Sequence, residues 1–419
     1  MKFIIKLFRY EPIFICNETM SIESNKMQLP RLLCISNVPI ESSCHGSVVL
    51  YRLLQKYPPE KLQVIEYEKQ KSILNRRLLG VRYHTISLGR SDFFPTRFTK
   101  LHSFFILCNA AKQYRKINKI HGSFSPEAVL TVAHGYLWIT AAEYAKRSNI
   151  PLHIINHDDT PEISSVPTFF RKHLQQQFGH IYRQAASQLC VSPFMREEYF
   201  NRYGVKGKVL YPSLGSNTLV FTKPPDNIKE HKKRIIFAFA GSVHGPYAQA
   251  LRKLADLLEP HNGQVFIYGP LTEAQAKSAN LNCPNIQVKG LLPSTNDLII
   301  NLRDKVDVLF VPMSFEGKDR PNMEISFPSK LAVYTATGLP LLIYGPPYCS
   351  AVRWARENPG VAEVVETEDN NTFASAIHRI TQDEEYRMQL AQSSINACLR
   401  YFSHESAWEV LTSCLMRAQ

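Results

Sequence analysis

Short apolar runs alternate along the first half of the chain with longer stretches whose apolar positions recur with helical spacing. The short runs predict buried strands, and the spacing between them predicts amphipathic helices. We expect strands at 31–37, 62–66, 83–88, 128–133, 152–156, 188–191 and 209–211. We expect helices at 48–54, 98–120, 136–148, 166–186 and 193–203. This alternation is typical of a parallel sheet covered by helices on both faces.

A polar stretch at 212–234, with two adjacent prolines and a basic cluster, interrupts this pattern and indicates a linker. The alternation then restarts. Strands are expected at 235–240, 264–268, 286–291, 308–311, 341–344 and 362–366, and helices at 246–259, 272–280, 295–303, 328–337, 350–358 and 371–381, followed by two helical runs at 383–401 and 405–417. The pattern therefore predicts two doubly wound α/β domains, residues 29–215 and 216–401.

The clearest candidate site lies within residues 308–345, where a polar loop joins an apolar strand to a helix predicted to start near Pro328. Proline suits a first helical turn, and Ser326 and Ser329 are candidate caps. This helix start brings backbone N–H groups, a hydroxyl and the Lys330 ammonium to one place. The positive end of the helix dipole adds to the lysine charge, so the loop predicts a phosphate site.

The first strand-to-helix turn of the second domain is the next candidate, and it reads F-A-F-A-G-S-V-H-G-P (237–246). It lacks the G-x-G-x-x-G pattern, so a dinucleotide site has weak support. Gly241 and Ser242 still leave room for a diphosphate near the helix start, and we expect both in the same site as Lys330.

Three strand-end loops of the first domain offer further candidates. Gly46 could admit a ligand close to the backbone or be an ordinary turn glycine. His134 could contact a substrate or transfer protons, although a structural histidine is the more frequent case. Residues 156–159 read N-H-D-D, but the chain contains no D-x-D pattern, which favours helix capping and loop solvation over metal binding.

The formal charge of +13 and the pI of about 9.2 indicate an anionic partner. Nucleotide phosphates, the anionic face of a membrane and nucleic acid are the alternatives. Because the basic residues are scattered along the chain, we expect no nucleic-acid partner. The nine cysteines form no C-x-x-C pair, and buried reduced thiols are expected.

The N-terminal residues 1–28 mix basic and apolar positions but contain neither a long apolar core nor a small-residue cleavage site. We expect a poorly ordered extension, with Met20 and Met27 as alternative starts and a loose amphipathic anchor as the other interpretation. No stretch is long and apolar enough to predict a membrane span. Together with the reduced thiols, this predicts a cytoplasmic protein, with peripheral contact at the inner face of an anionic membrane left open.

The segment F-P-S-K-L-A-V-Y-T-A-T-G-L-P-L-L resembles the P-S-K-L-x-E-Y-x-A-x-G-x-P-V pattern of GT-B glycosyltransferases, most similar to the retaining family 4 group that builds bacterial surface polysaccharide. Supporting segments are A-S-Q-L-C-V-S-P-F-M-R-E-E-Y, F-A-G-S, I-Q-V-K-G-L-L-P and D-V-L-F-V-P. The resemblance is closest from about residue 189 onwards. It implies two facing Rossmann-like domains, with a last helix (402–419) that crosses back to the first domain.

The resemblance also implies the reaction and its residues. A nucleotide diphosphate sugar would bind the second domain and pass its sugar to a glycan or lipid-linked acceptor, with retention of configuration and without cofactor or bound metal. Ser329 and Lys330 would hold the diphosphate, and Gly241 and Ser242 would line the same cleft. Gly46 would lie near the transferred sugar. His134 would match the histidine at the end of a first-domain strand.

The chain departs from the family pattern in two places. Alignment on the G-x-P element puts Val333 and Ile325 where many members carry two glutamates eight positions apart, so the equal spacing of Glu316 and Glu324 is coincidental. Glu316 could still contact the donor sugar or be a solvated loop carboxylate. The usual basic residues after the A-G turn are absent, which leaves more of the diphosphate charge to Lys330. A catalytically inactive nucleotide-sugar-binding or scaffold protein is therefore the main alternative, and a GT-B epimerase is a third.

Overall fold

A computed structural model describes residues 29–42, 46–88, 99–120, 122–164, 166–229 and 234–416. Its first sheet has seven parallel strands in the order β3-β2-β1-β4-β5-β6-β7. These strands are β1 Leu32–Ser36, β2 Leu62–Tyr67, β3 Arg82–Ile86, β4 Ala128–Val132, β5 Leu152–Asn156, β6 Ser187–Cys190 and β7 Lys208–Val209. The helices are α1 Ser47–Leu54, α2 Thr99–Ala110, α3 Tyr114–Ile120, α4 Leu137–Ser148, α5 Thr160–Ile163, α6 Thr168–Gln184 and α7 Pro193–Tyr203.

The second sheet has six parallel strands in the order β10-β9-β8-β11-β12-β13. They are β8 Ile236–Ala240, β9 Gln264–Tyr268, β10 Ile286–Gly290, β11 Val308–Pro312, β12 Leu341–Tyr344 and β13 Glu363–Val365. The helices are α8 Gly245–Leu258, α9 Glu273–Ser278, α10 Thr295–Lys305, α11 Arg320–Ile325, α12 Lys330–Thr337, α13 Ser350–Glu357, α14 Asn370–Gln382 and α15 Glu384–Ala397. A π-helical turn, Cys398–Phe402, leads into α16, His404–Met416. The prediction of two doubly wound Rossmann-like domains is confirmed.

Buried strands account for this arrangement. Every residue of β1, β2, β4, β5 and β11 is buried, as expected for strands covered by helices on both faces. In each sheet the strand order reverses beside the first strand, between β1 and β4 and between β8 and β11. Loops at such a reversal diverge and leave a crevice at the carboxyl ends of the strands, where ligands bind.

The last helix packs on the first domain, which confirms the predicted crossing. Leu411 and Leu415 of α16 are buried in the same cluster as Leu32 and Leu50 of the first domain. Trp408 meets the Tyr57 ring edge to face, with ring centroids 6.1 Å apart. The two chain segments that connect the domains lie side by side and are joined by a backbone hydrogen bond of 2.8 Å from Leu214 N–H to the Phe402 carbonyl.

Several local predictions need correction. The helix expected near Pro328 begins two residues later, at Lys330. Ser329 occupies the N-cap position without a side-chain cap bond, and the Ser326 hydroxyl donates instead to the Asn322 carbonyl. The sequence pattern does not predict the two short helices α5 and α11. Each has four to six residues, which is too short to show helical periodicity.

The seven cysteines in the described part of the chain are all free, and five of them are buried (34, 190, 349, 398 and 414). This agrees with the expectation of reduced thiols. No helix among the described residues combines the length and the apolar composition needed to cross a membrane. The predicted N-terminal extension, 1–28, lies outside the described residues.

Candidate functional site

A cleft of about 1480 Å³ separates the carboxyl edges of the two sheets. The first domain lines it with the start of α1 and with the loops after β2 and β5. The second domain lines it with the loops after β8, β9, β10 and β11. The predicted residues Gly46, Gly241, Ser242, Glu316, Ser329 and Lys330 all face this cleft, so six of the seven candidates come together. His134 is not among the described residues that line it.

Three glycines end adjacent strands of the second sheet and form one wall of the cleft. Gly241, Gly269 and Gly290 have φ angles of 146°, 153° and 73°, which side chains rarely adopt. The N–H of Gly241 donates to the Tyr268 carbonyl at 2.8 Å, and the N–H of Gly269 donates to the Gly290 carbonyl at 3.0 Å. A methyl group on Gly269 would lie 2.3 Å from the Gly241 carbonyl oxygen. This wall is therefore bare backbone, with room for a flat ligand.

Lys330, the first residue of α12, points its ammonium across this turn. Its Nζ lies 4.2 Å from the ring centroid of Phe239 and 4.7 Å from that of Tyr247, so two aromatic faces hold the cation. No carboxylate in the described part of the chain pairs with it. Burial lowers the pKa of Lys330 to about 7. Among the described residues this cation therefore has no carboxylate partner, and an anionic ligand would supply the counter-charge.

Tyr334 fixes the position of Lys330 against the end of β8. Its hydroxyl oxygen accepts a hydrogen bond of 2.6 Å from the Ala240 N–H. Residues 330 and 334 lie one turn apart on the same face of α12, so this bond orients the lysine towards Gly241. A methyl group built on Gly241 would be 3.8 Å from Lys330 Cε. The Lys330 side chain therefore lies next to Gly241, in the same part of the cleft.

His244 and Tyr247 complete this pocket, and the sequence interpretation did not select them as site residues. Their ring centroids are 4.0 Å apart. Partial burial lowers the pKa of His244, the charge of Lys330 lowers it further, and Asp319 opposes both effects. His244 lies in the turn at 237–246 and Tyr247 follows it directly. That their rings are near Lys330 is visible only in the folded structure.

The other predicted residues of the second domain line the cleft in different ways. Ser329 is exposed at the start of α12, and Ser242 follows Gly241 along the turn. Glu316 forms an ion pair of 2.5 Å with Lys318, which agrees with a partly solvated loop carboxylate. Glu324 is not among the described residues that line the cleft, and it accepts a hydrogen bond of 2.7 Å from Arg320. The two glutamates therefore do not act as a pair.

Val333, at the position of the usual second glutamate, lines the cleft. Ile325, at the position of the first, is buried in the core. Of the two positions where the family pattern has glutamates, only that of Val333 therefore lies at the cleft, and its side chain is apolar.

On the first-domain side, Gly46 is exposed at the N-terminus of α1 and faces the cleft. His134 is exposed just after β4. Burial lowers the pKa of the nearby His157 to about 4, against an opposing effect of Asp158 and with a smaller contribution from His134. The residue after His134 is a glycine because a side chain would not fit there. A methyl group on Gly135 would lie 2.5 Å from the side chain of Asn37, whose Oδ1 accepts the Leu137 N–H at the start of α4.

The loop after β5 joins the domains. Asp158 lines the cleft, and its Oδ1 accepts a hydrogen bond of 3.3 Å from the Asn322 amide of α11. Asp159 is fully buried and pairs with Arg202 at 2.7 Å. It stands at the N-cap position of α5 but makes no side-chain cap bond, so the expected capping role is wrong. No group of three potential metal ligands occurs among the described residues.

Neither a family model nor a curated protein matches the sequence. Among solved structures the chain resembles Anabaena Alr3699/HepE in complex with UDP and glucose, with a TM-score of 0.65 and 12% identity over 92% of this chain and 99% of that chain. It also resembles sucrose-phosphate synthase from Thermosynechococcus elongatus, with a TM-score of 0.64 and 14% identity over 92% and 98%. A third similar structure is the lipopolysaccharide outer core galactosyltransferase WaaB, with a TM-score of 0.58 and 15% identity over 93% and 99%.

These similarities extend over more than nine-tenths of the chain, and so over both domains. At such identities they show a shared fold, and the chain therefore has the two-domain GT-B fold of these glycosyltransferases.

Proposed function

We propose that this protein is a glycosyltransferase that moves a sugar from a nucleotide diphosphate donor to a glycan or lipid-linked acceptor. One observation carries the proposal. The Lys330 ammonium lies inside the cleft beside the Gly241 turn, and no carboxylate of the described residues pairs with it. An ammonium in the cleft without a carboxylate partner favours an anionic ligand, and a diphosphate carries the charge and has the size to bridge both loops.

The remainder of the cleft fits the other parts of such a donor. The N-terminal ends of α8 and α12 line the cleft, so their positive dipole ends would favour a diphosphate there. The bare backbone wall of Gly241, Gly269 and Gly290 leaves room for a flat base. The solved structure of HepE, which shares the fold, contains UDP and glucose. This supports a nucleoside diphosphate sugar as the donor class.

Transfer breaks the bond between the anomeric carbon and the diphosphate oxygen, and the electron pair leaves with the nucleoside diphosphate. The acceptor hydroxyl oxygen forms the new bond to the anomeric carbon and loses its proton. Lys330 and the helix termini stabilise the charge that develops on the diphosphate, which is the work a metal ion does in other enzymes. We therefore propose a reaction without bound metal, and the family resemblance extends the proposal to retention of configuration.

The acceptor would enter from the first-domain side, past Gly46 and the loop that carries Asp158. We keep Gly46 and His134 as candidates near the transferred sugar, and Ser242, Ser329 and Glu316 as donor contacts. WaaB, which shares the fold, is a transferase of the lipopolysaccharide outer core, and this supports a surface glycan as the acceptor class.

The test combines calorimetry with an assay for released nucleotide, using UDP-, GDP- and ADP-sugars. The Lys330→Ala variant should bind the donor ten- to a hundredfold more weakly, because hydrogen bonds to charged groups contribute about 1.5–3 kcal/mol. Lys289→Ala is the matched control, since Lys289 also lies on an aromatic face, 3.9 Å from the Phe266 centroid, but outside the cleft. Unchanged affinity in Lys330→Ala would refute the donor assignment. Binding without any turnover would favour the binding-protein alternative.

A further inference from the structure

We propose that the donor of this protein is a thymidine diphosphate sugar, a donor with 2′-deoxyribose and a methylated base. The inference rests on the proposed function and deepens it, because it concerns the nucleoside that is attached to the diphosphate beside Lys330. The nucleoside would lie in one part of the cleft, between the wall of strand-end glycines and helices α10 and α12. We call this part the nucleoside subsite, and its residues are Gly269, Gly290, Leu292, Leu298 and Val333.

The nucleoside subsite adjoins the position proposed for the diphosphate. Val333 lies three residues after Lys330 in α12, so the two side chains are neighbours on one face of the helix, and both line the cleft. On the side of the sheet, Gly269 follows β9 and Gly290 ends β10, the two strands that extend from β8 to the edge of the sheet. A nucleoside attached to the diphosphate would therefore lie between α12 and the ends of these strands.

Three apolar side chains line the nucleoside subsite. Leu298 belongs to α10 and Val333 to α12, two helices that pack against each other, and Leu292 lies in the loop after β10. All three are only partly buried against the hydrophobic core, so part of their apolar surface is open to the cleft. A methyl group distinguishes thymine from uracil, and burying a methyl group against apolar surface strengthens binding about fourfold. The subsite therefore favours thymine over uracil.

The carboxylates of the cleft lie elsewhere. The described residues that line the cleft include four carboxylates, Asp158, Glu162, Glu316 and Asp319. The first two belong to the first domain, and the other two belong to the loop after β11, on the opposite side of β8 from β9 and β10. Glu316 is paired with Lys318 at 2.5 Å, and Asp319 accepts the Ser314 hydroxyl at 2.7 Å. In the part of the chain that the structure describes, no carboxylate therefore belongs to the nucleoside subsite.

The polar groups at the start of α10 already have partners. Asp297, which precedes Leu298, is exposed and is not among the described residues that line the cleft. Its Oδ2 accepts the Ser294 hydroxyl at 2.6 Å, and its N–H donates to Ser294 Oγ at 3.1 Å. Thr295 Oγ1 accepts a hydrogen bond of 3.0 Å from Arg52 of the first domain. These groups therefore hold the start of α10 and its contact with the first domain.

This lining determines which sugar of the nucleoside is preferred. In dinucleotide-binding Rossmann domains an aspartate or glutamate accepts a hydrogen bond from the ribose 2′-hydroxyl. Val333 and Leu298 cannot accept such a bond. Burying a hydroxyl beside apolar side chains without a partner is unfavourable, whereas 2′-deoxyribose has no hydroxyl at this position. The nucleoside subsite therefore favours deoxyribose, and deoxyribose together with the methylated base defines thymidine.

The test is calorimetry of the full chain with UDP, 2′-deoxy-UDP and thymidine diphosphate. We expect 2′-deoxy-UDP to bind at least as tightly as UDP, and thymidine diphosphate to bind about fourfold more tightly than 2′-deoxy-UDP. Val333→Glu places a carboxylate in the subsite and should change the ratio of the UDP and 2′-deoxy-UDP affinities about tenfold in favour of UDP. Because both ligands carry the same diphosphate, repulsion between that group and the new carboxylate cancels in the ratio. The matched control is Ile300→Glu, which adds a carboxylate at an exposed position of α10 outside the cleft and should leave the ratio unchanged.

Circular dichroism melting checks that the variants fold, and the three nucleotides compared on the unmodified chain decide the inference even if Val333→Glu does not fold. Tighter binding of UDP than of 2′-deoxy-UDP would overturn the inference, and so would thymidine diphosphate binding no more tightly than 2′-deoxy-UDP. An unchanged affinity ratio in folded Val333→Glu would overturn the location of the nucleoside beside Val333. These results would leave the proposed function standing, whereas no binding of any of the three nucleotides would refute both.

Discussion

The amide of Asn322 hydrogen-bonds to two consecutive residues of the opposite domain. Its Nδ2 donates to Asp158 Oδ1 at 3.3 Å, and its Oδ1 accepts the Asp159 backbone N–H at 3.2 Å. Asn322 belongs to α11, within the loop that leads to Lys330, whereas Asp158 follows β5 of the first domain. The donor loop and the acceptor-side carboxylate are therefore linked directly, and the orientation of one depends on the other.

We expect Asn322→Ala to lower the transfer rate about tenfold and to change donor affinity less than twofold. It removes two hydrogen bonds of about 1 kcal/mol each, which hold Asp158 rather than the nucleotide. Steady-state kinetics and calorimetry measure the two effects. Asn109→Ala, an exposed asparagine with a bond only inside α2, should have no effect. A loss confined to donor affinity would contradict the positioning role.

Donor binding should weaken as the pH rises above 7. Burial lowers the pKa of Lys330 to about 7, so the ammonium that would bind the diphosphate deprotonates in the free protein above that pH. Affinity measured by calorimetry should therefore fall by up to tenfold per pH unit between about pH 7 and 9. Lys330→Arg, which stays charged, should have a flat profile in this range. A slope that is the same in both proteins would contradict the assignment.

The same group makes stability depend on pH. An unfolded lysine titrates near 10.4, so above about pH 7 the unfolded state binds more protons than the folded state. Below pH 7 the buried lysine is charged and destabilises the folded state fully. This destabilisation is relieved as the pH rises towards 10. We expect Lys330→Met to raise the free energy of unfolding at pH 6 and to have a smaller effect at pH 9. Urea unfolding at the two pH values measures this difference.

Gly269→Ala should destabilise the fold and damage the cleft. The added methyl group would lie 2.3 Å from the Gly241 carbonyl oxygen, at a φ of 153°. Overpacking and backbone strain of this kind cost about 1–3 kcal/mol, and the displaced Gly241 turn should also weaken donor binding. Gly317→Ala, where the methyl group meets nothing within 4 Å, should stay close to the wild type. Thermal melting compares the two variants, and equal melting temperatures would contradict the contact.

Arg202→Met should cost about 3–5 kcal/mol of stability, because it removes the ion-pair partner of the fully buried Asp159 carboxylate and leaves it only a long hydrogen bond of 3.4 Å from the Tyr199 hydroxyl. The matched control is Arg252→Met, which breaks an exposed pair with Asp256 on one face of α8 and should change stability by about 0.5 kcal/mol or less. Denaturant unfolding of both variants distinguishes the buried pair from the exposed one. Similar losses of stability in the two variants would contradict the prediction that burial of the ion pair determines the size of the loss.

The sequence predicts the existence and order of the described strands because most of them are short apolar runs with clear ends. The sequence also locates Gly241 and Lys330. Gly241 follows a strand and Lys330 lies at a helix start, and both kinds of boundary have a recognisable local sequence pattern. The pairing of Lys330 with the Phe239 and Tyr247 rings has no such pattern, because it depends on how α12 packs against β8. Asn322 was missed for the same reason, and α11 is too short to be recognised as a helix.

The family resemblance predicts the position of His134 along the chain but not its surroundings. Its position after β4 agrees with the expected strand end, but it is exposed and does not line the cleft described here. Glu316 faces the cleft while paired with Lys318, so a donor contact by Glu316 stays a prediction. For both residues the sequence pattern gives the position along the chain. The direction of the side chain depends on tertiary contacts, which the pattern does not contain.

The packing of α16 on the first domain also affects folding during synthesis. Leu411 and Leu415 complete one face of a core whose other members are encoded almost entirely before residue 211. N-terminal domains usually fold first as the chain leaves the ribosome, at about 5–20 residues per second. Here the first domain lacks part of its core until the entire second domain has been translated. Its early, incomplete form should expose an apolar groove, which makes the nascent chain a candidate client for chaperones until translation ends.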